Sequence, residues 1–330
     1  MSRFNLGTRQ ALAGDARRDK ADRVTATDHA SDSTVVKIED WSLGVHRRGE
    51  GPPVVLLHGL LTDSRVWQQV IEDLPATHQL IAIDAPGHGS SPPRTAAYSL
   101  EEESTRLAEA VESLTDGQPA VWVGHSMGGM KAMRVALSRP DLTTGLVLIS
   151  TQPYREPEST ADPYEAMVEV AIADGVSPDL ARLMARLNFA RGFLGTDTAQ
   201  HWTTHFRTLV GDDIAQTCYS VYRRGDISDQ LPRIDVPVLV VHGAADVPIR
   251  LAVAQRYAAE LPHAELLVLA DTGHTPPCER PAELGAALRE FVARVTGSTT
   301  FPADAAIRAG AHHLGLTEPS LPPNRQDGTV

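Results

Sequence analysis

The chain has 330 residues, of which 42% are hydrophobic and 22% charged, and its formal net charge is −12. So acidic a balance argues against nucleic acid or an anionic membrane surface as a partner, because both need a basic footprint. The two cysteines, Cys218 and Cys278, require no disulfide framework and read as unpaired thiols, and no apolar run approaches the ~20 residues of a membrane span.

In chain order, residues 1–33 are polar and mixed in charge, and read as a flexible arm. The opening Met1-Ser-Arg-Phe-Asn-Leu-Gly lacks the apolar stretch of a signal peptide, so a cytoplasmic location is expected. Strand signals begin at Thr34-Val-Val-Lys-Ile-Glu and Ser42-Leu-Gly-Val-His. Short apolar runs follow at Val54–Leu57, Leu80–Ile83, Ala120–Val123, Gly145–Ile149, Val238–Val241 and Glu265–Leu269, with helix-length segments between them. Continuous rather than alternating apolar runs predict strands buried on both faces. With helices between, the class is α/β, a mostly parallel sheet covered on both sides, assigned here to residues 34–150 and 231–296.

The rhythm breaks over residues 151–230, where no strand is evident. Pro163-Tyr-Glu-Ala-Met-Val-Glu-Val-Ala-Ile and Pro178-Asp-Leu-Ala-Arg-Leu-Met-Ala-Arg-Leu read as helices. A helical insertion between two strands is a natural cap over a site. Met167, Met184, Phe189 and Trp202 are its candidate pocket residues, with the alternative that they form its own small core. Residues 297–330 read as a tail, with room for one short helix over Ala303–Leu314. His312-His313 lack the further ligands a metal would need, and no metal is expected.

The stretch Gly124-His-Ser-Met-Gly128 fits G-x-S-x-G between a strand and a helix of about Met127–Ser138. In that context the pattern is a nucleophile elbow. The serine is held in a strained turn, and strand and helix approach so closely that flanking side chains would clash. Gly129 extends the approach. A dinucleotide-binding G-x-G-x-x-G is excluded here, because Ser126 takes the middle glycine position, and at Gly87-His-Gly89 because Pro92 stands where the third glycine belongs.

A serine hydroxyl needs a base, and the base an orienting acid. Asp246, in Val241-His-Gly-Ala-Ala-Asp-Val-Pro-Ile, and His274, in Asp271-Thr-Gly-His-Thr-Pro-Pro, both follow strands, where open α/β sheets assemble their sites. Ser126, Asp246 and His274 are therefore the candidate catalytic residues, and Asp271, three residues from His274, reads as a turn former. The backbone N–H groups of Met127 and Leu60 are the candidate oxyanion donors. His58 reads as scaffold for its loop, and His125 as packing beside the nucleophile at the pocket's edge.

His58-Gly59 with Trp67 downstream, Asp84-Ala-Pro-Gly-His-Gly-Ser-Ser91, Gly124-His-Ser-Met-Gly-Gly129, the Asp246 loop and Gly273-His274 together resemble the α/β-hydrolase superfamily, from about Thr34 to Val295. Within it the chain looks like the capped group of esterases, lactonases, carbon–carbon bond hydrolases and cofactor-free peroxidases. The resemblance implies an eight-stranded, mostly parallel sheet with a helical cap, and a serine hydrolase needing no cofactor. The expected substrate is a small hydrophobic ester, lactone or thioester. Branches with an aspartate nucleophile are set aside by Ser126. Carbon–carbon bond hydrolysis, perhydrolysis, acyl transfer to a metabolite and a non-catalytic ligand receptor are the alternatives. No oligomeric state follows from the sequence.

Overall fold

In the computed structural model, residues 32–297 are described, apart from 73, 75 and 76. The apolar runs form strands β1 (Asp32–Ile38), β2 (Trp41–Arg48), β3 (Pro53–Leu57), β4 (Gln79–Ile83), β5 (Ala120–His125), β6 (Thr143–Ile149), β7 (Val238–Gly243) and β8 (Ala264–Leu269). They make one sheet in the order β1-β2-β4-β3-β5-β6-β7-β8, in which β1–β2 and β2–β4 are antiparallel and every later pair is parallel.

Alternate residues of a strand face opposite sides, and here both sides are apolar. Val54, Leu56, Val121, Val123, Val147 and Ile149 enter one core. Val55, Leu57, Trp122, Leu146 and Leu148 enter the other. Helices bury these faces: α1 (Gln68–Glu72), α2 (Leu100–Leu114), α3 (Met127–Ser138) and α8 (Leu251–Glu260) between strands, and α9 (Pro276–Glu279) and α10 (Pro281–Thr296) after β8.

Between β6 and β7 the insertion holds four helices, α4 (Glu158–Asp174), α5 (Pro178–Asn188), α6 (Asp197–Phe206) and α7 (Gly211–Tyr222). Two of them, α6 and α7, were not legible from the sequence. Both are rich in Thr, Tyr, Val, His or Cys, which are indifferent helix formers, so packing rather than propensity decides. α4 begins at Glu158 and carries Pro163 inside it, so the helix precedes the proline that seemed to open it. The helices pack in two pairs, α4 on α7 and α5 on α6. The second pair is fused to the body: Leu180, Met184, Phe189, Trp202 and Phe206 share a core with Val54, Leu56 and Trp67.

Two further differences from the sequence reading have simple causes. β1 starts at Asp32, paired with Arg47, so the sheet takes in the end of the segment read as an arm. β8 is apolar apart from Glu265 yet half-exposed, with Leu266 38% and Val268 40% accessible, because it lies at the sheet edge with β7 as its strand neighbour. Cys218 and Cys278 are buried free thiols in separate cores. The rest of the arm, the tail helix over Ala303–Leu314 and His312-His313 lie outside the described residues. Among the described residues no helix is long and apolar enough to cross a membrane.

Candidate active site

β5 ends at the centre of the sheet, and the chain turns at once into α3. Ser126, at the turn, has φ 49° and ψ −113°, a region that L residues rarely occupy. Four hydrogen bonds hold this geometry. Its N–H donates to Ile149 O (2.8 Å), and its carbonyl accepts from Gly129 N (2.9 Å), Met130 N (3.1 Å) and Thr151 Oγ1 (2.7 Å). The glycines are a steric necessity. A Cβ on Gly124 would lie 2.3 Å from the Gly128 backbone, and one on Gly128 would lie 2.1 Å from the Leu57 carbonyl oxygen.

The loops after β7 and β8 bring two more side chains to this point. The Ser126 hydroxyl lies 2.9 Å from His274 Nε2, and His274 Nδ1 lies 2.9 Å from Asp246 Oδ2. A carboxylate only accepts, so Nδ1 carries the proton and Nε2 is left as an acceptor for the hydroxyl. Asp246 is aimed by the Ile249 N–H, which donates to Oδ1 at 2.9 Å. All three residues are buried. Asp271 instead occupies an exposed turn with φ 49° and makes no hydrogen bond or ion pair with His274, whose carboxylate partner is Asp246.

Two residues that the sequence did not single out hold the His274 loop. Glu279 is buried, and its carboxylate accepts from Gly273 N (2.9 Å), Thr275 N (3.2 Å) and Ala190 N of the insertion (2.9 Å). Burial raises its pKa despite those donors. Asn188 O accepts from Thr275 Oγ1 at 2.9 Å, a second tie from insertion to loop. His125 Nε2–H donates to the His274 carbonyl at 2.7 Å, and its ring lies where a Cβ on Gly59 would be. Burial pushes the His125 pKa down to about 3, so the ring is neutral.

The loop after β3 is fixed by two more buried histidines. Gly59 O accepts from His58 Nδ1–H (2.7 Å), Thr62 Oγ1 (2.9 Å) and Thr62 N (3.3 Å), while His58 Nε2 accepts from Ala85 N at 2.9 Å. Leu61, at φ 67°, donates its N–H to His88 Nε2 at 3.2 Å. His88 Nδ1–H donates to Pro86 O at 2.9 Å, and burial pulls its pKa to about 3. The N–H groups of Leu60 and Met127 donate to no acceptor among the described residues. Asp84 supports this loop from below, accepting from Ser64 N (2.7 Å) and Ser90 N (2.8 Å). Burial alone would raise its pKa, but the N–H donors of Ser90 and Ser64 and the Ser90 hydroxyl stabilise the carboxylate, and it is held at about 2.

Above Ser126 lies a cavity of about 100 Å³. Leu60, His125, Met167 and Met184 line it with Ser126 and His274. Phe189 and Trp202 do not: they are 2% and 3% exposed and belong to the core shared with the sheet. Apolar aromatics satisfy cavity wall and core alike, so their type alone could not separate the two. The sequence reading also missed a polar side of the cavity, formed by Gln152, Glu156, Tyr164, Tyr222 and Arg224. A larger surface groove of about 430 Å³, lined by Arg65, His205 and Asp213 among others, shares no residue with this cavity. Among the described residues no cluster of three or more His, Cys, Asp or Glu side chains is placed to hold a metal.

A strained serine at a strand–helix turn on an eight-stranded, mostly parallel sheet defines a class of hydrolase, and comparison with known proteins gives the family. Residues 52–281 match the family model described as the alpha/beta hydrolase fold. The chain belongs to that family and is a hydrolase. A pimeloyl-(acyl-carrier protein) methyl ester esterase of Vibrio vulnificus is 29% identical over 75% of this chain and 96% of its own length. The enzyme of the same name from Vibrio atlanticus is 30% identical over 70% of this chain and 90% of its own. Among solved structures, an esterase from Thermogutta terrifontis superposes with a TM-score of 0.75 at 23% identity, covering 81% of this chain and all of that one. An enol-lactonase from Burkholderia xenovorans superposes with a TM-score of 0.72 at 20% identity, covering 78% of this chain and 99% of the other. At such identities these two speak for the fold.

Proposed function

We propose that the protein is a serine hydrolase that cleaves a small carboxylic ester through an acyl-enzyme on Ser126. One observation carries the reading: an unbroken hydrogen-bonded chain from Ser126 Oγ through His274 to Asp246, with the hydroxyl opening into a cavity. The ester bond as target draws support from the matched relatives, which are named methyl ester esterases. Lactones and thioesters present the same carbonyl to the same groups.

Ser126 Oγ attacks the carbonyl carbon while His274 Nε2 takes its proton, and Asp246 stabilises the imidazolium that results. The oxyanion falls to Leu60 and Met127 N–H. In a trans peptide the C=O and the following N–H point in opposite directions. Three donors on Gly59 O therefore fix the Leu60 N–H as well as the carbonyl. Met127 N–H opens α3, where the helix dipole favours negative charge. His274 then protonates the leaving alkoxide, water attacks the acyl-enzyme with His274 as base, and Ser126 is regenerated. Residues 151–230 act as the cap that closes this cavity, with Met167 and Met184 on its wall.

Cavity size sets the substrate class. An engineered apolar cavity of ~150 Å³ holds benzene, so about 100 Å³ admits roughly four non-hydrogen atoms, the reacting carbonyl group among them. Short-chain esters are therefore preferred. The test is hydrolysis of p-nitrophenyl butyrate by wild type and Ser126→Ala. A fall in kcat of about 10⁴-fold or more is expected, and retention of wild-type turnover by the variant overturns the reading.

A further inference from the structure

We propose that Glu156, Tyr164 and Tyr222 form a recognition subsite for a hydroxyl group carried by the ester substrate; this rests on the reading of Ser126 as nucleophile. All three line the cavity that contains Ser126 and His274. The rings of Tyr164 and Tyr222 stack with centroids 5.2 Å apart and planes at 20°, a rigid pair. Neither phenol hydroxyl has a hydrogen-bond partner among the described residues, although each can donate and accept.

Glu156 explains what these hydroxyls await. Its Oε2 accepts from Arg224 Nη2 at 2.7 Å and from Gln152 Nε2 at 3.3 Å. Its Oε1 accepts from no group among the described residues. The residues lining the cavity thus carry one unbonded carboxylate oxygen, an acceptor, and two unbonded hydroxyls able to donate. An alcohol is the smallest neutral organic group that answers both needs: its O–H donates to Glu156 Oε1, and its oxygen accepts from a tyrosine.

Charge excludes the rival. Arg224 lines the same cavity, but Nε donates to Tyr154 O (2.9 Å), Nη1 to Val221 O (2.8 Å) and Nη2 to Glu156. Its side chain is 1% exposed. The guanidinium is neutralised and held between the two ends of the insertion, so a substrate carboxylate would meet Glu156 without a free cation to receive it. A site built to bond a hydroxyl discriminates strongly against the analogue lacking it, because its own polar groups are then left unpaired.

The experiment measures kcat/KM for four esters: ethyl butyrate, ethyl 3-hydroxybutyrate, 2-hydroxyethyl butyrate and monoethyl succinate. In wild type, one of the two hydroxylated esters is expected to exceed ethyl butyrate by tenfold or more, and which one identifies the acyl or alcohol side. Monoethyl succinate is expected to fall below ethyl butyrate. In Tyr222→Phe and Tyr164→Phe, the ratio of the favoured hydroxylated ester to ethyl butyrate should collapse toward one; being internal to each variant, the ratio is independent of how much of it folds. Hydroxylated esters no better than ethyl butyrate, or a ratio unmoved in both variants, overturns the subsite while leaving the esterase reading intact. Absence of turnover on all four, with no labelling of Ser126 by a fluorophosphonate, overturns both.

Discussion

At the scale of single residues, the serine was legible because its constraint is local. Strand, turn and helix meet within five residues, so Gly124 and Gly128 announce the close approach that the structure measures. Gly128→Ala forces a Cβ against the Leu57 backbone, which cannot yield as a side chain would, and should destabilise the fold by about 3 kcal/mol or more; urea unfolding checks this. His274→Ala belongs to the same scale with the opposite signature. It removes the proposed base but leaves Asp246 its bond from Ile249 N–H. We expect kcat to fall by about 10⁴-fold or more with a thermal midpoint within about 3 °C of wild type; a variant that fails to fold makes the residue structural. Glu279 was not legible. Its donors on Gly273, Thr275 and Ala190 include one on the distant insertion, and a carboxylate in a short helix carries no mark of such a partner.

Among the elements, the sheet was readable from apolar runs, while the inside of the insertion was not. Periodicity separates helix from strand, but it does not say which helices fuse with the core and which roof a cavity. The structure separates them: Trp202 on α6 is core, and Met167 on α4 is wall. Trp202→Ala should therefore cost about 3–5 kcal/mol of stability, measured by denaturant titration. Met167→Ala should shift the preferred chain length toward longer esters with little loss of stability, measured by kcat/KM across a p-nitrophenyl series. The reverse pattern would restore Trp202 to the pocket. The short α9 carries Glu279 beneath the His274 loop, and Glu279→Gln replaces an acceptor-only group facing three N–H donors with an amide that must turn an NH₂ toward some of them. Both kcat and thermal midpoint should fall, since the loop that aims the base is the loop that unravels.

For the whole molecule, buried neutral histidines make stability depend on pH. His88 and His125 are pulled from 6.5 to about 3 by burial, with His58 lowered too. Below pH 6.5 the unfolded chain takes up protons that these rings refuse while folded. Stability is therefore fully present above 6.5 and is lost as the pH falls from there toward 3. Asp84, held at about 2, adds to the loss below about pH 4. Near pH 5, the uptake of about two protons on unfolding gives a slope of roughly 2–3 kcal/mol per pH unit. Urea midpoints between pH 7 and 4.5 measure it, and a flat profile would mean that these rings titrate normally in the fold.

The most direct test of the whole account is the mass of the protein trapped in mid-turnover. Rapid acid quenching with a slowly deacylated p-nitrophenyl ester, then peptide mass spectrometry, should find one acyl group per chain on the peptide containing Ser126, and none on Ser126→Ala. An unmodified Ser126 peptide during active hydrolysis, or an acyl group carried elsewhere, would contradict it.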